Sequence, residues 1–339
     1  MLSKLLEQRG CVPTPTDTQN RLQALEELQV ILNTWCSKLW VASNKGENNA
    51  SSNHWQQPRV ALISFGSYRL QVHQPESSDL DVLALSPPFC SRGDFFSSLV
   101  SLLRENPHVE DIHPIGSAFT PVLKMEMHGI HIDLLFTRLQ DSEKLLEFQQ
   151  QNPRQATAML FTQPSSVSGE SSSLEDEKSP SMPTLKMKAA RPEYQIDDSD
   201  LLGLDEASVR SLNGARVSQL LLEMVPDLES YRVTLRAVKE WATVHGVYSN
   251  VLGFLGGINY AILVAWICMR HPNHPPTTLL RLFFRSFCMW NWPAAVTLVP
   301  VQLTPPAGVT PLPVWNPKTN PRDGHHLMPI ITPAYPSSK

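Results

Sequence analysis

The sequence lacks closely paired cysteines and a strong excess of charge of one sign, and each absence argues against a class of protein. Its cysteines are odd in number and widely spaced: Cys11, Cys36, Cys90, Cys268 and Cys288. Because no CxxC pair occurs, neither a disulfide framework nor a cysteine zinc site is indicated, and scattered reduced thiols suit the cytosol or nucleus. The net charge of −4 and the pI of about 6.3 do not indicate a strongly basic nucleic-acid binder.

The sequence predicts neither a membrane span nor a signal peptide. The stretch VLGFLGGINYAILVAWICM, residues 251–269, carries no charge, but Gly253, Gly256, Gly257 and Asn259 interrupt its first half. The uninterrupted second half is too short to span a bilayer, so we expect a buried core helix there. The opening residues MLSKLLEQRG lack the apolar core of a signal peptide.

Hydrophobic spacing predicts one long N-terminal helix. Apolar residues recur at three- and four-residue steps over residues 17–40: Leu22, Leu25, Leu28, Leu32, Trp35 and Leu39. Asp17 is the predicted N-cap of this helix. The Asn- and Ser-rich residues 42–57 are predicted to form a loop.

Alternating and β-branched patterns predict a small sheet after that loop. RVALISF (59–65) and LDVLAL (80–85) are typical of strands, and residues 93–105 of a helix. PVLKMEMHGIHIDLLF (121–136) alternates on both sides of Gly129, which predicts a hairpin. Three or four strands with interspersed helices therefore form a mixed α/β unit over about 57–140.

The rest of the chain divides by composition. Ser, Pro, Glu and Lys dominate around QPSSVSGESSSLEDEKSPSMP, which is typical of a disordered segment. The pattern is helical from 200 to 292, and Pro-punctuated and extended from 293. We therefore predict an α+β protein with these parts: an N-terminal helix (17–56), a mixed α/β domain (57–149), a disordered insertion or linker (150–199) and a helical domain with an extended end (200–339).

One segment predicts chemistry: FGSYRLQVHQPESSDLDVLAL, residues 65–85. Side chains alternate along a strand, so Asp79 and Asp81 share one face while Leu80 and Val82 face the core. Asp133 lies on a later strand, also opposite an apolar face. If these strands are neighbours, three carboxylates converge and raise one another's pKa unless divalent cations intervene. Either a solvated strand edge or a metal site fits the aspartates alone.

The order of the residues along the chain favours a metal site, because Gly66 and Ser67 are followed by Asp79 and Asp81 and then by Asp133. Carboxylate oxygens suit Mg²⁺ first and Mn²⁺ second, and two such ions held by three aspartates can promote in-line displacement at phosphorus. Gly66 and Ser67 fit the same scheme, because a close backbone and an exposed hydroxyl can grip a triphosphate.

The order GS, DxD and a later Asp resembles the DNA polymerase β-like nucleotidyltransferases. Longer blocks resemble the eukaryotic nuclear-type poly(A) polymerases: FGSYRL (65–70), VRSLNGARV (209–217), LRAVKEWA (235–242), VYSNVLGFLGG (247–257) and HLMPIITPAYP (326–336). The resemblance implies template-independent addition of AMP from ATP to RNA 3′ ends. It implies a catalytic palm domain, a helical middle domain and a C-terminal RNA-binding domain.

The resemblance also implies roles for individual residues. Asp79, Asp81 and Asp133 match the metal-binding and catalytic carboxylates, with two Mg²⁺ or Mn²⁺ ions as cofactors. Residues that match nucleotide contacts are Phe65, Gly66, Ser67, Asn213, Lys239, Tyr248, Asn250, Gly257, Ile258 and Thr332. RNA and ATP are the implied partners of a monomer in the nucleus, with mRNA 3′-processing factors beside them and no membrane.

The sequence departs from the family pattern at three places. Gln71 stands where the family commonly has Gly, and Thr243 and Val244 replace basic residues. The chain stops after ITPAYPSSK, where the family continues into its RNA-binding domain. We therefore expect weak, distributive activity or dependence on a partner.

Two alternatives stay open at this point. One alternative to adenylyl transfer is a truncated form that works as a binding or regulatory protein. The other is a different RNA nucleotidyltransferase that adds uridylate or tRNA ends.

Overall fold

The computed structural model describes residues 2–44, 59–75, 77–150 and 195–338. Its helices are α1 (Leu2–Gln8), α2 (Pro15–Asn44), α3 (Gly66–Arg69), α4 (Arg92–Asp94), α5 (Val100–Arg104), α6 (Ser142–Gln150), α7 (Glu206–Met224), α8 (Leu228–Val244), α9 (Gly257–Arg270), α10 (Pro276–Cys288) and α11 (Pro321–Gly324). Its strands are β1 (Ala61–Ser64), β2 (Leu80–Ser86), β3 (Val109–Ile115), β4 (Val122–Met127) and β5 (Ile130–Arg138). The predicted α+β class is confirmed.

The five strands form one mixed sheet in the order β1-β2-β5-β4-β3. Strands β2 and β5 are parallel, and Asp81 lies directly opposite Asp133 in their register. The other neighbouring pairs are antiparallel. The predicted hairpin is confirmed, since β4 and β5 are joined at His128 and Gly129, whose φ angles are 52° and 74°.

Both faces of the sheet are covered, which explains why β2 is apolar at nearly every position. Leu80, Val82 and Ala84 pack on one face against α2 and the π-helical turn Phe95–Leu99 between α4 and α5. Leu83 and Leu85 pack on the opposite face against residues of α7. Asp79 and Asp81 lie on this second face and precede Leu83 and Leu85, the residues that α7 covers.

The long N-terminal helix is confirmed, but its predicted cap is wrong. Helix α2 begins at Pro15, and the Thr14 hydroxyl accepts the N–H of Asp17 at 3.1 Å. Asp17 is therefore inside the first turn. Its carboxylate pairs with Arg21, one turn later, at 3.0 Å.

The sheet has five strands, whereas three or four were predicted. Strand β3, VEDIHPI, is an edge strand with mostly exposed side chains, so it shows no apolar alternation. Proline is tolerated at such an edge because no further strand needs its missing N–H.

The helical part after residue 200 is confirmed as predicted. Helices α7 to α10 build a second core around α9, and Leu70 and Val72 from the segment after α3 also pack into it. Among the helices of the described ranges, none is long and apolar enough to cross a membrane. The predicted disordered insertion falls on 151–194, outside the described residues; beyond it, Ile196 is buried and Asp198–Leu201 forms a 3₁₀ turn.

Candidate active site

Three carboxylates come together where β2 and β5 run side by side. Asp81 and Asp133 are paired across the parallel ladder, and Asp79 lies two residues before Asp81 on the same face. The condition that these two strands be neighbours is therefore met. Burial of Asp81, followed by the charges of Asp133 and Asp79, raises its pKa to about 7.

The same causes act on Asp79, which lies nearer the surface. Burial and the charge of Asp133 raise the pKa of Asp79 above its usual range. Two carboxylates whose pKa is raised beside the charge of Asp133 form a site in need of positive charge. All the ligating atoms of the three carboxylates are oxygens, which hard divalent cations such as Mg²⁺ prefer. The three carboxylates are not drawn within 4.8 Å of one another among the described residues, and both oxygens of Asp133 bond Lys124.

A lysine already supplies part of that positive charge. Lys124 on β4 donates to both carboxylate oxygens of Asp133, at 2.7 and 2.5 Å. The sequence contained a signal for this contact that we missed. A two-residue turn at His128 and Gly129 places Lys124 directly opposite Asp133 in the hairpin register.

Gly66 brings the backbone into contact with the acidic cluster. Its φ angle is +63°, and a Cβ atom built there would lie 2.3 Å from Asp81 Oδ2. The Gly66 N–H donates to the Ser218 hydroxyl at 3.0 Å, and the Phe65 N–H donates to the Asp81 carbonyl at 3.0 Å. Gly66 is therefore required both for its conformation and for lack of a side chain, and Ser67 follows it in the first turn of α3.

A cavity of about 630 Å³ opens beside the aspartates, between the sheet and the helical core. Its volume is within the usual range of small-molecule sites. Eleven predicted residues line it: Phe65, Gly66, Ser67, Asp79, Asp81, Asn213, Lys239, Tyr248, Gly257, Ile258 and Thr332. Asp133 adjoins the cavity through its pairing with Asp81.

Asn250 is the predicted contact that the structure places elsewhere. It is exposed at the start of a 3₁₀ turn and is not among the residues that line the cavity. Its side chain lies where a Cβ on Gly256 would be, 2.7 Å from the amide nitrogen. The Asn250 side chain therefore lies against the start of α9 and outside the cavity wall.

Two polar groups of the helical part face the aspartates across the cavity. Lys239 on α8 is buried and donates to the Val72 carbonyl at 3.0 Å. Burial lowers the pKa of Lys239 to about 8, although the charge of Asp81 opposes the shift. Burial and the charges of Asp81 and Asp79 raise the pKa of Tyr248, and Gly257 leaves room for its hydroxyl, 2.9 Å from a built Cβ.

The inner wall carries an acceptor without a donor. The Asn213 amide nitrogen donates to the Pro336 carbonyl at 3.4 Å, which leaves its Oδ1 buried without a partner among the described residues. Phe65 packs beside it, where a Cβ on Gly214 would lie 2.7 Å from the ring. Across the cavity, the Thr332 N–H donates to the Ser338 carbonyl at 2.8 Å, and the Ser338 N–H donates to the Thr332 hydroxyl at 2.9 Å.

The segment that leads into Asp79 is held by a buried arginine that sequence reasoning missed. Arg21 on α2 donates to the carbonyls of Pro75 and Ser78 at 3.1 and 2.9 Å. Although burial raises it, hydrogen bonds from His73 and Arg21 hold the pKa of Asp17 below its usual range. Helix α2 therefore holds the main chain just before Asp79 through Arg21, which is buried and paired with Asp17.

We expect Arg21→Met to destabilise the protein by about 3–5 kcal/mol, because it leaves the buried Asp17 carboxylate uncompensated. The free energy of unfolding is measured by urea titration. The matched control is Asp17→Asn/Arg21→Met, which removes both charges and is expected to recover part of the loss. Equal destabilisation in the single and double variants would contradict the ion-pair account.

Comparison with known proteins places this site in a family. Residues 1–147 match the model of the poly(A) polymerase nucleotidyltransferase domain, and residues 230–339 match that of the poly(A) polymerase central domain. Nuclear poly(A) polymerase 1 of Arabidopsis thaliana is 37% identical over 336 residues, covering 99% of this chain and 39% of that protein. Poly(A) polymerase of Dictyostelium discoideum is 35% identical over 324 residues, covering 96% and 33%.

This chain thus spans well under half the length of the curated relatives it matches. Among solved structures, the polymerase core of TRAMP, an RNA surveillance complex, aligns with 84% of this chain and 62% of that chain, at 17% identity and a TM-score of 0.38. The two domain models and the near-complete alignment of the chain with curated relatives establish that it belongs to the poly(A) polymerase family.

Proposed function

We propose that this chain adds AMP from ATP to RNA 3′ ends without a template and releases pyrophosphate. The observation that carries the proposal is the pairing of Asp81 with Asp133 across the strands, with Asp79 and Asp81 in a cavity that Ser67 and Lys239 also line. In this reaction the RNA 3′ oxygen forms a bond to the α-phosphorus of ATP. The bond from that phosphorus to the bridging oxygen breaks, and pyrophosphate carries the electron pair away.

The three aspartates would hold two divalent ions, Mg²⁺ or Mn²⁺. When bound, such ions polarise the phosphate oxygens and lower the pKa of the attacking hydroxyl. Asp133, oriented by Lys124, is the carboxylate we assign to the attacking hydroxyl. Positioning and charge neutralisation therefore carry most of the catalysis.

The other residues of the cavity bind the nucleotide. Ser67 and the backbone at Gly66 bind triphosphate oxygens, while Lys239 and Tyr248 bind them from the opposite wall. The unpartnered Asn213 Oδ1 favours adenine, because the 6-amino group of adenine donates a hydrogen bond and the 6-oxo group of guanine accepts one. Phe65, Ile258 and Thr332 complete the proposed nucleotide contacts.

The setting of the reaction is part of the proposal. Curated relatives carry names that include nuclear poly(A) polymerase, and we propose a nuclear location for this chain. We propose that it acts as a monomer on RNA 3′ ends, with mRNA 3′-processing factors as partners. With a net charge of −4 it has little positive charge for phosphate neutralisation, so we expect low RNA affinity and distributive extension.

Primer extension tests the function directly. The chain is incubated with oligo(A), Mg²⁺ or Mn²⁺, and each of the four ribonucleoside triphosphates in turn. We expect extension with ATP alone, and its loss in Asp79→Ala. Thr310→Ala, remote from the aspartates on the chain, serves as the folded control.

Two results would overturn the proposal in different ways. No extension by the folded chain, even with Mn²⁺ and high primer, would favour a binding or regulatory protein. Extension with UTP or CTP in preference to ATP would favour another RNA nucleotidyltransferase.

A further inference from the structure

A second cluster of metal-ligating side chains lies where α2 meets two loops of the sheet. Glu27 comes from α2, His108 from the segment between α5 and β3, and His128 from the turn between β4 and β5. Their ligating atoms all lie within 4.8 Å of one another, the one group of three so gathered in the described part of the chain. Nothing in the proposed nucleotidyl transfer uses them.

The contacts within this cluster are short and have additional support. His128 Nε2 lies 2.6 Å from Glu27 Oε2, and His108 Nδ1 lies 2.9 Å from Glu27 Oε1. Asn106 donates to Glu27 Oε1 at 2.9 Å and accepts the backbone N–H of His108 at 2.8 Å. Asn106 therefore orients the Glu27 carboxylate and fixes the backbone at His108, as the partners that surround a metal site commonly do.

A cation could replace the protons that lie between Glu27 and the two imidazoles. An ionised carboxylate only accepts hydrogen bonds, so each imidazole must carry a proton on the nitrogen that faces Glu27. One divalent ion can take the place of the two protons that face Glu27, because each ring nitrogen offers a lone pair once its proton has left.

We propose that Glu27, His108 and His128 bind a zinc ion, with water as the fourth ligand. Two imidazoles and one carboxylate are a zinc donor set, and imidazole favours zinc over Mg²⁺, which prefers oxygen. The side chain of His108 is 54% exposed, so an ion can enter from solvent.

Bound zinc joins three segments that are far apart in the chain. His108 and His128 are 81 and 101 residues from Glu27. The ion thus fastens α2 to the sheet, six residues after Arg21, whose contacts hold the segment before Asp79. The site stabilises the fold and is separate from the acidic pocket, since His128 precedes Asp133 by about 16 Å of extended strand.

Zinc binding to the full chain is measured by equilibrium dialysis and metal analysis. The test variant is His108→Gln/His128→Gln; the matched control is His113→Gln/His274→Gln, which removes two exposed imidazoles outside the cluster. We expect the control to match the original chain, and the test variant to bind one zinc ion fewer. Comparing variants this way subtracts any zinc held by the aspartates.

Two further readouts keep the proposal falsifiable. Co²⁺ in the same site is expected to give the intensified visible absorption of a four-coordinate complex, and zinc is expected to raise the unfolding midpoint. Both effects should vanish in the test variant, and Glu27→Gln, which keeps the shape, should weaken zinc affinity about tenfold or more. Equal zinc in all variants, without the Co²⁺ band, would leave these side chains as a hydrogen-bonded ion pair only.

Discussion

Asp81→Asn is expected to abolish primer extension while it stabilises the metal-free protein. The amide keeps the shape of the side chain beside Gly66 but removes the charge that would hold divalent ions. We expect turnover to fall by about 10³-fold or more, since catalysis at phosphorus depends on this charge stabilisation.

The gain in stability follows from the sign of the pKa shift. Burial and the neighbouring carboxylates raise the pKa of Asp81 from 3.8 to about 7. Between those values the folded protein holds a proton that the unfolded chain has released, so stability falls as pH rises from 4 to 7. At about 1.4 kcal/mol per pKa unit, the upper limit of this loss is about 4 kcal/mol.

Urea unfolding in EDTA at pH 4.5 to 8 measures this effect. Asp81→Asn should lose most of the decline in unfolding free energy that the original chain shows over this range. Asp111→Asn is the matched control, because Asp111 is exposed on the same sheet with φ 48°, a conformation that Asn tolerates. Retained extension, or an unchanged pH slope, would contradict the assignment of Asp81.

Lys239→Met is expected, like Asp81→Asn, to lower activity while it stabilises the protein. Loss of a buried cation from the wall that we propose binds the triphosphate should lower kcat/KM for ATP about 100-fold or more, mainly through KM. In the original chain kcat/KM for ATP should fall as pH rises through about 8, because the pKa of Lys239 is lowered to about 8 by burial. The methionine variant should lack that limb of the profile.

The free energy of unfolding should rise in Lys239→Met, whereas the activity falls. Below pH 8 the folded protein holds a charged amine in a buried position, whereas the unfolded chain holds it in water. The shift from 10.5 to about 8 corresponds to a penalty of about 3 kcal/mol at pH 7, and stability from this group recovers between pH 8 and 10.5. Met removes that penalty together with the hydrogen bond to the Val72 carbonyl.

Lys318→Met is the control, because Lys318 is an exposed lysine. It should change neither the pH profile nor the unfolding free energy measurably. A methionine variant of Lys239 that kept the limb near pH 8, or unfolded more easily at pH 7, would contradict the buried-cation account.

The sheet and the acidic site could be predicted because their signals are local. Alternation around Gly129 gave β4 and β5, and the two-residue spacing of Asp79 and Asp81 placed both on one face. The pairing of Asp81 with Asp133 required only that two predicted strands be neighbours. Strand β3 escaped because an exposed edge strand has no apolar period to detect.

Contacts between distant segments could not be predicted in the same way. Arg21 looked like an ordinary helix arginine, and only the tertiary structure shows that it is 1% exposed and bonded to carbonyls more than 50 residues away. Asp17 looked like a cap because it precedes an apolar stripe. The competing requirement was a partner for buried Arg21, and Thr14 took the capping role.

The segment before Asp79 is held through its main chain as well as through its buried side chains. Arg232, Arg236 and Lys239 donate to the carbonyls of Leu70, Gln71 and Val72, just as Arg21 does to those of Pro75 and Ser78. Carbonyls are present whatever residue occupies a position. The main-chain contacts therefore do not depend on which side chain stands at these positions, including Gln71, where a left-handed backbone (φ 60°) would ordinarily favour Gly.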